Sequence, residues 1–353
     1  MAKQKYYSLA NIYAEDCEYN LLLGERSNGK SYQVKHCCIY EFLNKGYMFA
    51  YLRRLGVEIK NFMVEAYFDD VKIEKLSKGK YTNITVFRSG IYLGHYDEEN
   101  KVVRDIQCGM VMSLSSASHY KSMSLLSYKN IIFEEFVTND VYLPDECNML
   151  QQLVSTIARR RKIHVWCIGN TISRLCPYFN EWQLSNIPKQ KQGTIELYHM
   201  KTEQFTEDGE PVIVNIAVEL CENSGNNGGM FFGNVAKSIT NGSWETDIQP
   251  HIPYKYEDCK LLYSLTVVKY NMYYVMEIMK HEDEMFIFVR PSNKIKTKRV
   301  INPLYQPNMF VTSKLVELTN GDKIARLLIK MNKICYSDNL TGTEFINNVL
   351  PML

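Results

Sequence analysis

Metal-ligand and redox spacings are missing from this sequence. Its ten cysteines contain no C-x-x-C, and the only close pair is the adjacent Cys37 and Cys38. That argues against a zinc site and a disulfide framework, and for a reducing cytosol in which thiols fill cores. The seven histidines lie far apart, without ligand spacing. No apolar run approaches the ~20 residues of a membrane-spanning helix, and the opening "MAKQKYYSLANIYAED" builds no apolar signal core. An excess of one charge is lacking too. A protein that grips DNA along a broad face is usually more basic than a net charge of +2, so any nucleic-acid contact is expected to be local or shared among several subunits. Repeats and low-complexity tracts are also wanting. What remains, 353 residues at 46% hydrophobic and 23% charged, is ample for a globular core and by default for two domains.

What is present begins at residue 21. In "LLLGERSNGKSYQ" a Gly, four variable residues and Gly-Lys-Ser stand directly behind the apolar run "YNLLL", which reads as a short buried strand. Beyond Lys30, Val34, Cys37, Cys38, Phe42 and Leu43 recur at helical spacing until Gly46. A glycine loop between strand and helix is the setting of a phosphate-binding loop. Gly24 and Gly29 let the backbone close around phosphate oxygens. Glu25, Arg26, Ser27 and Asn28 supply amides between them, and the helix N-terminus adds positive potential. Lys30 would reach the β- and γ-phosphates of ATP, and the Ser31 hydroxyl would ligate Mg²⁺. A plain strand-to-helix turn is the competing account, and the flanking pattern disfavours it.

Such a loop needs a second strand that ends in acids. "YKNIIFEEF" supplies one, with Ile131, Ile132 and Phe133 buried and Glu134 and Glu135 at its C-terminal end. Ligands of open parallel sheets gather at that edge. Glu134 would hold the Mg²⁺ shell, and Glu135 would orient or deprotonate the attacking water. Between the two motifs lie the strand-like "YMFAYLRR", "ITVFRSG" and "GMVMSLSS". The stretch "EIKNFMVEAYFDDVKIEKL" reads as one helix with Ile59, Phe62, Met63 and Ala66 on a single face, and "SGIYLGHYDEENK" as a surface hairpin. At least one strand is therefore inserted between the loop strand and the acid strand.

Downstream, "DECNMLQQLVSTIARRRK" reads as a helix with Asp145 as cap and Leu150, Leu153, Val154 and Ile157 inward. It ends in Arg159, Arg160, Arg161 and Lys162. Compensation of the helix dipole accounts for two of these. A remaining arginine could neutralise charge at a neighbouring subunit's γ-phosphate. "HVWCIGN" follows as a buried strand ending in Asn170, which is either a γ-phosphate sensor or a strand-end turn residue.

In this order the motifs resemble those of the DNA-packaging ATPases of the phi29 group of small tailed phages, relatives of the large terminase subunits. The resemblance is carried by "GERSNGKSY", "YLRR" with Glu58 four residues on, "IIFEEF", "STIARRRK", "CIGN" and "CPYF". It implies that Lys30 and Ser31 carry nucleotide and Mg²⁺, and that Glu134 and Glu135 fill the acid-strand roles. It places Arg159 at the trans-acting arginine, with Arg161 the alternative. The family's usual first acid is Asp, so Glu134 is a departure that bears on metal geometry. The resemblance further implies an ATP-driven motor on double-stranded DNA, a homomeric ring (a pentamer by resemblance), a portal partner and no membrane. Such a motor works in the host cytoplasm at the capsid's portal vertex, and whether a structural packaging RNA takes part stays open.

For fold, the expectation is an α/β chain. A P-loop domain with a mostly parallel central sheet spans residues 1–192, a linker region 193–229, and a smaller mixed α/β domain 230–353. The resemblance implies that this last domain is ribonuclease-H-like without a nuclease site. "TIELYHM" and "PVIVNIAVEL" read as strands, the Gly/Asn-rich "NSGNNGGMFFGN" as a boundary, "LLYSLTVVKYNMYYVMEIM" as a hairpin, "EMFIFVR" as a third strand and "GDKIARLLIKMNKI" as a helix. The opening strand of that domain contains no acid. Glu277 is isolated, Glu282, Asp283 and Glu284 read as an exposed turn, and Asp322 as the N-cap region of the late helix. The run "NKIKTKR" (Lys294, Lys296, Lys298, Arg299) is a candidate backbone or partner contact, or a solvated loop. Two other functions stay open: a terminase with an active nuclease, and an ATP-dependent DNA-binding or assembly protein that does not translocate.

Overall fold

Strand β1 (Tyr19–Gly24) is buried at every residue, as a strand with parallel partners on both sides must be. It lies in the first of two compact units of the chain. The computed structural model describes residues 6–25, 27–138, 142–170, 176–206, 208–222, 249–269, 272–302 and 310–353. No helix among them is long and apolar enough to cross a membrane.

The first unit is built on a nine-stranded sheet. After a short helix α1 (Ala10–Ala14) and β1 come α2 (Lys30–Lys45), β2 (Met48–Arg53), α3 (Asn61–Phe68) and α4 (Ile73–Leu76). Then follow β3 (Asn83–Phe87), β4 (Gly90–Tyr96), β5 (Val102–Ser113), β6 (Tyr128–Glu134), α5 (Glu146–Ala158), β7 (His164–Asn170), α6 (Pro177–Glu181), β8 (Thr194–Phe205) and β9 (Pro211–Leu220). The spatial order is β3-β4-β5-β2-β6-β7-β1-β9-β8. From β5 to β9 every neighbouring pair is parallel, and the antiparallel β3, β4 and β8 finish the edges. The expected α/β sheet is present. The strand inserted between the loop strand and the acid strand is β7, which follows both in sequence.

Helix α2 starts at Gly29 (φ 99°) and stops at Gly46 (φ 71°), whose amide returns to Phe42 O at 2.9 Å. Both are left-handed positions that cost a glycine little. Val34, Cys38, Ile39 and Phe42 seat it on the sheet. In α5, Leu150, Leu153, Val154 and Ile157 are buried as the spacing predicts.

Three expectations need correction. The stretch 58–76 is not one helix. It breaks into a turn at 56–58, α3 and α4, with Val64 and Phe68 buried while Phe62, Met63 and Ala66 are exposed. The break falls at Asp69–Asp70, where Asp70 turns to pair with Lys35 of α2 at 2.7 Å. Asp145 stands at the N-cap of α5, but with φ 58° and no bond to a backbone amide; its carboxylate accepts from Asn148 instead, at 2.9 Å. Residues 193–220 are not a linker either. β9 pairs with β1 in parallel, Tyr19 opposite Ile216 and Leu23 opposite Leu220, and β8 closes that side. Without them the apolar β1 would be a bare sheet edge. The predicted boundary near residue 230 and its Gly/Asn loop lie outside the described residues.

In the second unit, β10 (Lys260–Lys269), β11 (Met272–His281) and β12 (Glu284–Ser292) form an antiparallel meander. β13 (Val300–Ile301) lies parallel to β10, β14 (Val311–Thr312) parallel to β13, and β15 (Ile334–Tyr336) parallel to β12. The helix Asn320–Lys330 opens on a capping box between Thr319 and Asp322. It packs Ala325 and Leu328 into a core with Leu265, Val267, Met276, Ile287 and Phe345. The expected hairpin, third strand and helix are all found.

Candidate nucleotide site

The C-terminal ends of β1, β7 and β6 lie side by side, with Gly24 opposite Asn170 and Ile168 opposite Glu134. A cavity of about 900 Å³ opens above them, lined by Ser27, Asn28, Gly29, Lys30, Ser31, Glu134, Glu135 and Asn170, with Tyr6, Asp70 and Lys72 on its walls. Tyr7 ties the loop to β9, 212 positions away: its amide donates to Asn28 O at 3.0 Å, and its hydroxyl to Glu219 Oε2 at 2.6 Å. Arg26 lies outside the described residues.

Lys30 is buried, and its Nζ donates to Glu25 O at 2.5 Å and Asn28 Oδ1 at 3.2 Å. Burial pulls its ammonium below the usual lysine range, against the attraction of Cys221, Glu134 and Glu25. The loop thus holds a desolvated cation on its own carbonyl, where a phosphate oxygen would be a better partner. Asn28 makes the same point. Its Oδ1 is used by Lys30, while its buried Nδ2 has no partner, a donor ready for an acceptor in the loop. These residues fit a triphosphate.

Glu134 is buried, and burial raises its carboxyl above the ordinary range, opposed by hydrogen bonds from Tyr67 and Ser31. The Tyr67 bond to Oε1 is 2.5 Å. A hydroxyl and a carboxylate already in contact are the hard oxygen donors that suit Mg²⁺. Glu135 is exposed and sits at φ 55° just past β6, a left-handed turn that is uncommon for a non-glycine residue. Its Oε2 accepts from Arg53 Nη2 at 2.6 Å, and Arg53 Nε also pairs with Glu58 at 2.9 Å.

The turn is held from behind by residues that sequence reasoning missed. Arg54 donates to Glu135 O at 3.1 Å and to Phe136 O at 2.8 Å. Its charge is matched by buried Glu146 at 2.8 Å, which also accepts from Tyr178 Oη and the Leu143 amide, each at 2.8 Å. The signal available was the second arginine of "YLRR", read only as part of a resemblance.

Asn170 is half-buried on the cavity wall at the end of β7. The arginines are not with it. Arg159 caps α5, and its Nη2 donates to Met123 O at 2.9 Å. Arg161 donates to Ile157 O at 2.7 Å, Leu125 O at 3.3 Å and Leu126 O. Arg160 is exposed and has no partner among the described residues. All three precede β7 and therefore stand at the opposite edge of the sheet from the cavity, a strand length or roughly 20 Å away.

A family model described as Podovirus DNA encapsidation protein (Gp16) matches residues 1–200. The DNA packaging proteins of Bacillus phages PZA and phi29 are each 29% identical over 183 residues, 51% of this chain and 50% of theirs. The chain thus spans about half the length of these two relatives. The DNA packaging protein of Bacillus phage B103 is 28% identical over 277 residues, 70% of this chain and 81% of that protein. Among solved structures, the bacteriophage Phi-29 viral genome packaging motor assembly matches at 20% identity and TM-score 0.53, covering 95% of each chain. The Phi-28 gp11 DNA packaging motor matches at 19% identity and TM-score 0.50, covering 99% of this chain and 98% of that one. At these identities the two structures speak for the fold alone.

Proposed function

This chain belongs to the podovirus DNA encapsidation protein (Gp16) family, and from that premise we propose that it is an ATPase motor driving double-stranded viral DNA into a preformed capsid. It works as a homomeric ring, a pentamer, on the portal at the capsid vertex in the host cytoplasm. The observation that carries this reading is the meeting of Lys30, the Ser31–Glu134 pair and Glu135 at the C-terminal ends of the parallel β1 and β6, with β7 between them, around one cavity.

In this reading the amides from Gly24 to Gly29 and the Lys30 ammonium bind the phosphates, and the unpartnered Asn28 Nδ2 adds a donor. Ser31 and Glu134 would hold Mg²⁺, which when bound supplies charge neutralisation at the β- and γ-phosphates. Glu135, standing on the strained turn clamped by Arg54, accepts the proton of the attacking water. Asn170 steadies that water or contacts the γ-phosphate. Arg159, turned away from its own cavity, serves the neighbouring subunit's.

For the second unit we infer a ribonuclease-H-like domain that holds DNA or the portal without cutting. The order β12-β11-β10-β13-β14, three antiparallel strands followed by two parallel to the first, supports that fold. Two of its buried acids are committed elsewhere. Glu277 is paired with Arg290 at 2.7 and 3.2 Å and accepts from Tyr256 at 3.1 Å. Asp322 is taken by its capping box, by Tyr263 at 3.0 Å and by Arg299 at 3.3 Å. Arg299 leaves the list of candidate contacts, because it is buried and bonds Val300 O, Thr312 and Val316 O as well. Lys294, Lys296 and Lys298 are exposed and remain.

The test is ATP hydrolysis by the full chain alone, with double-stranded DNA, and with purified portal. Stimulation by either is expected; its lack with both would sink the packaging reading.

A further inference from the structure

We propose that Tyr67 is a positioning residue for Glu134, its hydroxyl fixing the carboxylate on the metal side of the phosphate loop; this rests on the nucleotide-site reading above. The bond from Tyr67 Oη to Glu134 Oε1, at 2.5 Å, links residues 67 positions apart. The ring is held from several elements. It packs on Tyr51 of β2 at 4.8 Å and edge-on to Phe68 at 5.0 Å. The Lys35 ammonium of α2 stands 4.3 Å over its face, bonds the Tyr67 carbonyl and pairs with Asp70 at 2.7 Å. Aromatic, cation and backbone contacts thus leave the hydroxyl one direction to point.

The chemistry gives this bond a purpose. Glutamate carries one more side-chain torsion than aspartate, so at a strand end its carboxylate would sample several staggered arrangements. A hydroxyl on Oε1 selects one of them. Because an ionised carboxylate offers about four lone-pair positions, it still leaves room for Ser31 and a cation. Loss of a donor that orients a metal-binding group commonly costs about 10–100-fold in metal affinity. Tyr67 lies just before Asp70 and Lys72, which line the same cavity, so this bend of the chain is one wall of the site rather than a surface helix.

Tyr67→Phe removes the hydroxyl and keeps the ring. The full chain would be titrated with Mn²⁺ in the presence of ADP, read by electron paramagnetic resonance, and separately with ADP in EDTA. The expected result is a loss of Mn²⁺ affinity of about tenfold or more, with ADP affinity in EDTA and the thermal midpoint unchanged. In a Glu134→Ala background the same substitution should have no further effect. Mn²⁺ affinity within about twofold of the parent, where ~10–100-fold is the usual outer-shell effect, would overturn the inference. So would an equal loss of ADP affinity with and without Mn²⁺, which marks Tyr67 as packing only. If Glu134→Ala leaves Mn²⁺ binding intact, the metal role of Glu134 falls and this inference with it; a silent Tyr67→Phe beside a damaging Glu134→Ala sinks the inference alone.

Discussion

Arg54 and Glu146 face each other at 2.8 Å with side chains 6% and 0% exposed, and the arginine reaches past the pair to the carbonyls of Glu135 and Phe136. The geometry of the proposed catalytic turn therefore depends on an ion pair that solvent does not reach. Removing one member of such a pair strands the other charge in the interior. Glu146→Ala should destabilise the first unit by about 3–5 kcal/mol, measured as a urea unfolding midpoint. The exposed Lys101–Glu99 pair serves as control, because breaking it should cost under about 1 kcal/mol. Equal effects would mean that the Arg54–Glu146 pair is not buried in solution.

Glu135→Gln keeps the shape of the side chain and its contact with Arg53 but cannot accept a proton. Nucleotide should bind as in the parent protein, while turnover falls by about 10²–10⁴-fold. Lys30→Ala removes the ammonium that sits on the loop carbonyl and should weaken binding itself, so equilibrium binding of a fluorescent nucleotide separates the two variants. Hydrolysis by Glu135→Gln within about tenfold of the parent would return the base role to Glu134.

The loop and the acid strand were legible because each is local: a fixed spacing of Gly24, Gly29, Lys30 and Ser31, and an apolar run ending in Glu134 and Glu135. The same holds for α5, whose inward stripe is set by helical periodicity. What was not legible depends on distant partners. Nothing in "EIKNFMVEAYFDDVKIEKL" says that Tyr67 meets Glu134 or that Asp70 meets Lys35, and these two pairings decide where the helix stops and which face it buries. The regular stripe of Ile59, Phe62, Met63 and Ala66 misled because Phe62 and Met63 stay exposed while Val64 and Phe68 are buried. β8 and β9 escaped for a related reason. Their strand character was plain, but the pairing of β9 with β1, which brings β8 into the sheet with it, is a choice of partner almost 200 residues away.

Glu219, opposite Leu22 and outside the cavity lining, gives a pH test. Burial raises its carboxyl above the usual range, with Tyr7's hydroxyl opposing. A raised folded-state pKa means the folded chain holds that proton more tightly than the unfolded chain. The favourable contribution is then complete below the unfolded value near pH 4.5 and lost as pH rises through the folded one. Glu219→Gln, neutral at every pH and still able to accept from Tyr7, should stabilise the protein at pH 7–8 by about 0.5–2 kcal/mol, the scale of ordinary stabilising substitutions. The gain should shrink as pH falls toward the unfolded value. Thermal unfolding of both proteins across that range checks it, and a gain that grows on acidification would contradict the assignment.

Arg159 stands on the far edge of the sheet from its own cavity, tied to Met123 O at 2.9 Å. No side-chain rotation carries a guanidinium across roughly 20 Å of strand, so a role in hydrolysis requires a neighbour's cavity. Arg159→Ala should then preserve nucleotide binding and lower hydrolysis by about 10³-fold or more, the usual effect of an arginine supplied in trans. The decisive measurement mixes Arg159→Ala subunits with Glu135→Gln subunits. Each is inactive alone, by different lesions. In a mixed ring an Arg159→Ala subunit contributes an intact Glu135, and a Glu135→Gln neighbour contributes an intact Arg159, so some interfaces are whole. Recovered hydrolysis would place the arginine in trans. Silence in rings shown by mass to be mixed would transfer the role to Arg160 or Arg161. Of these Arg160 is the stronger candidate, because Arg161 already spends its guanidinium on the carbonyls of Leu125, Leu126 and Ile157.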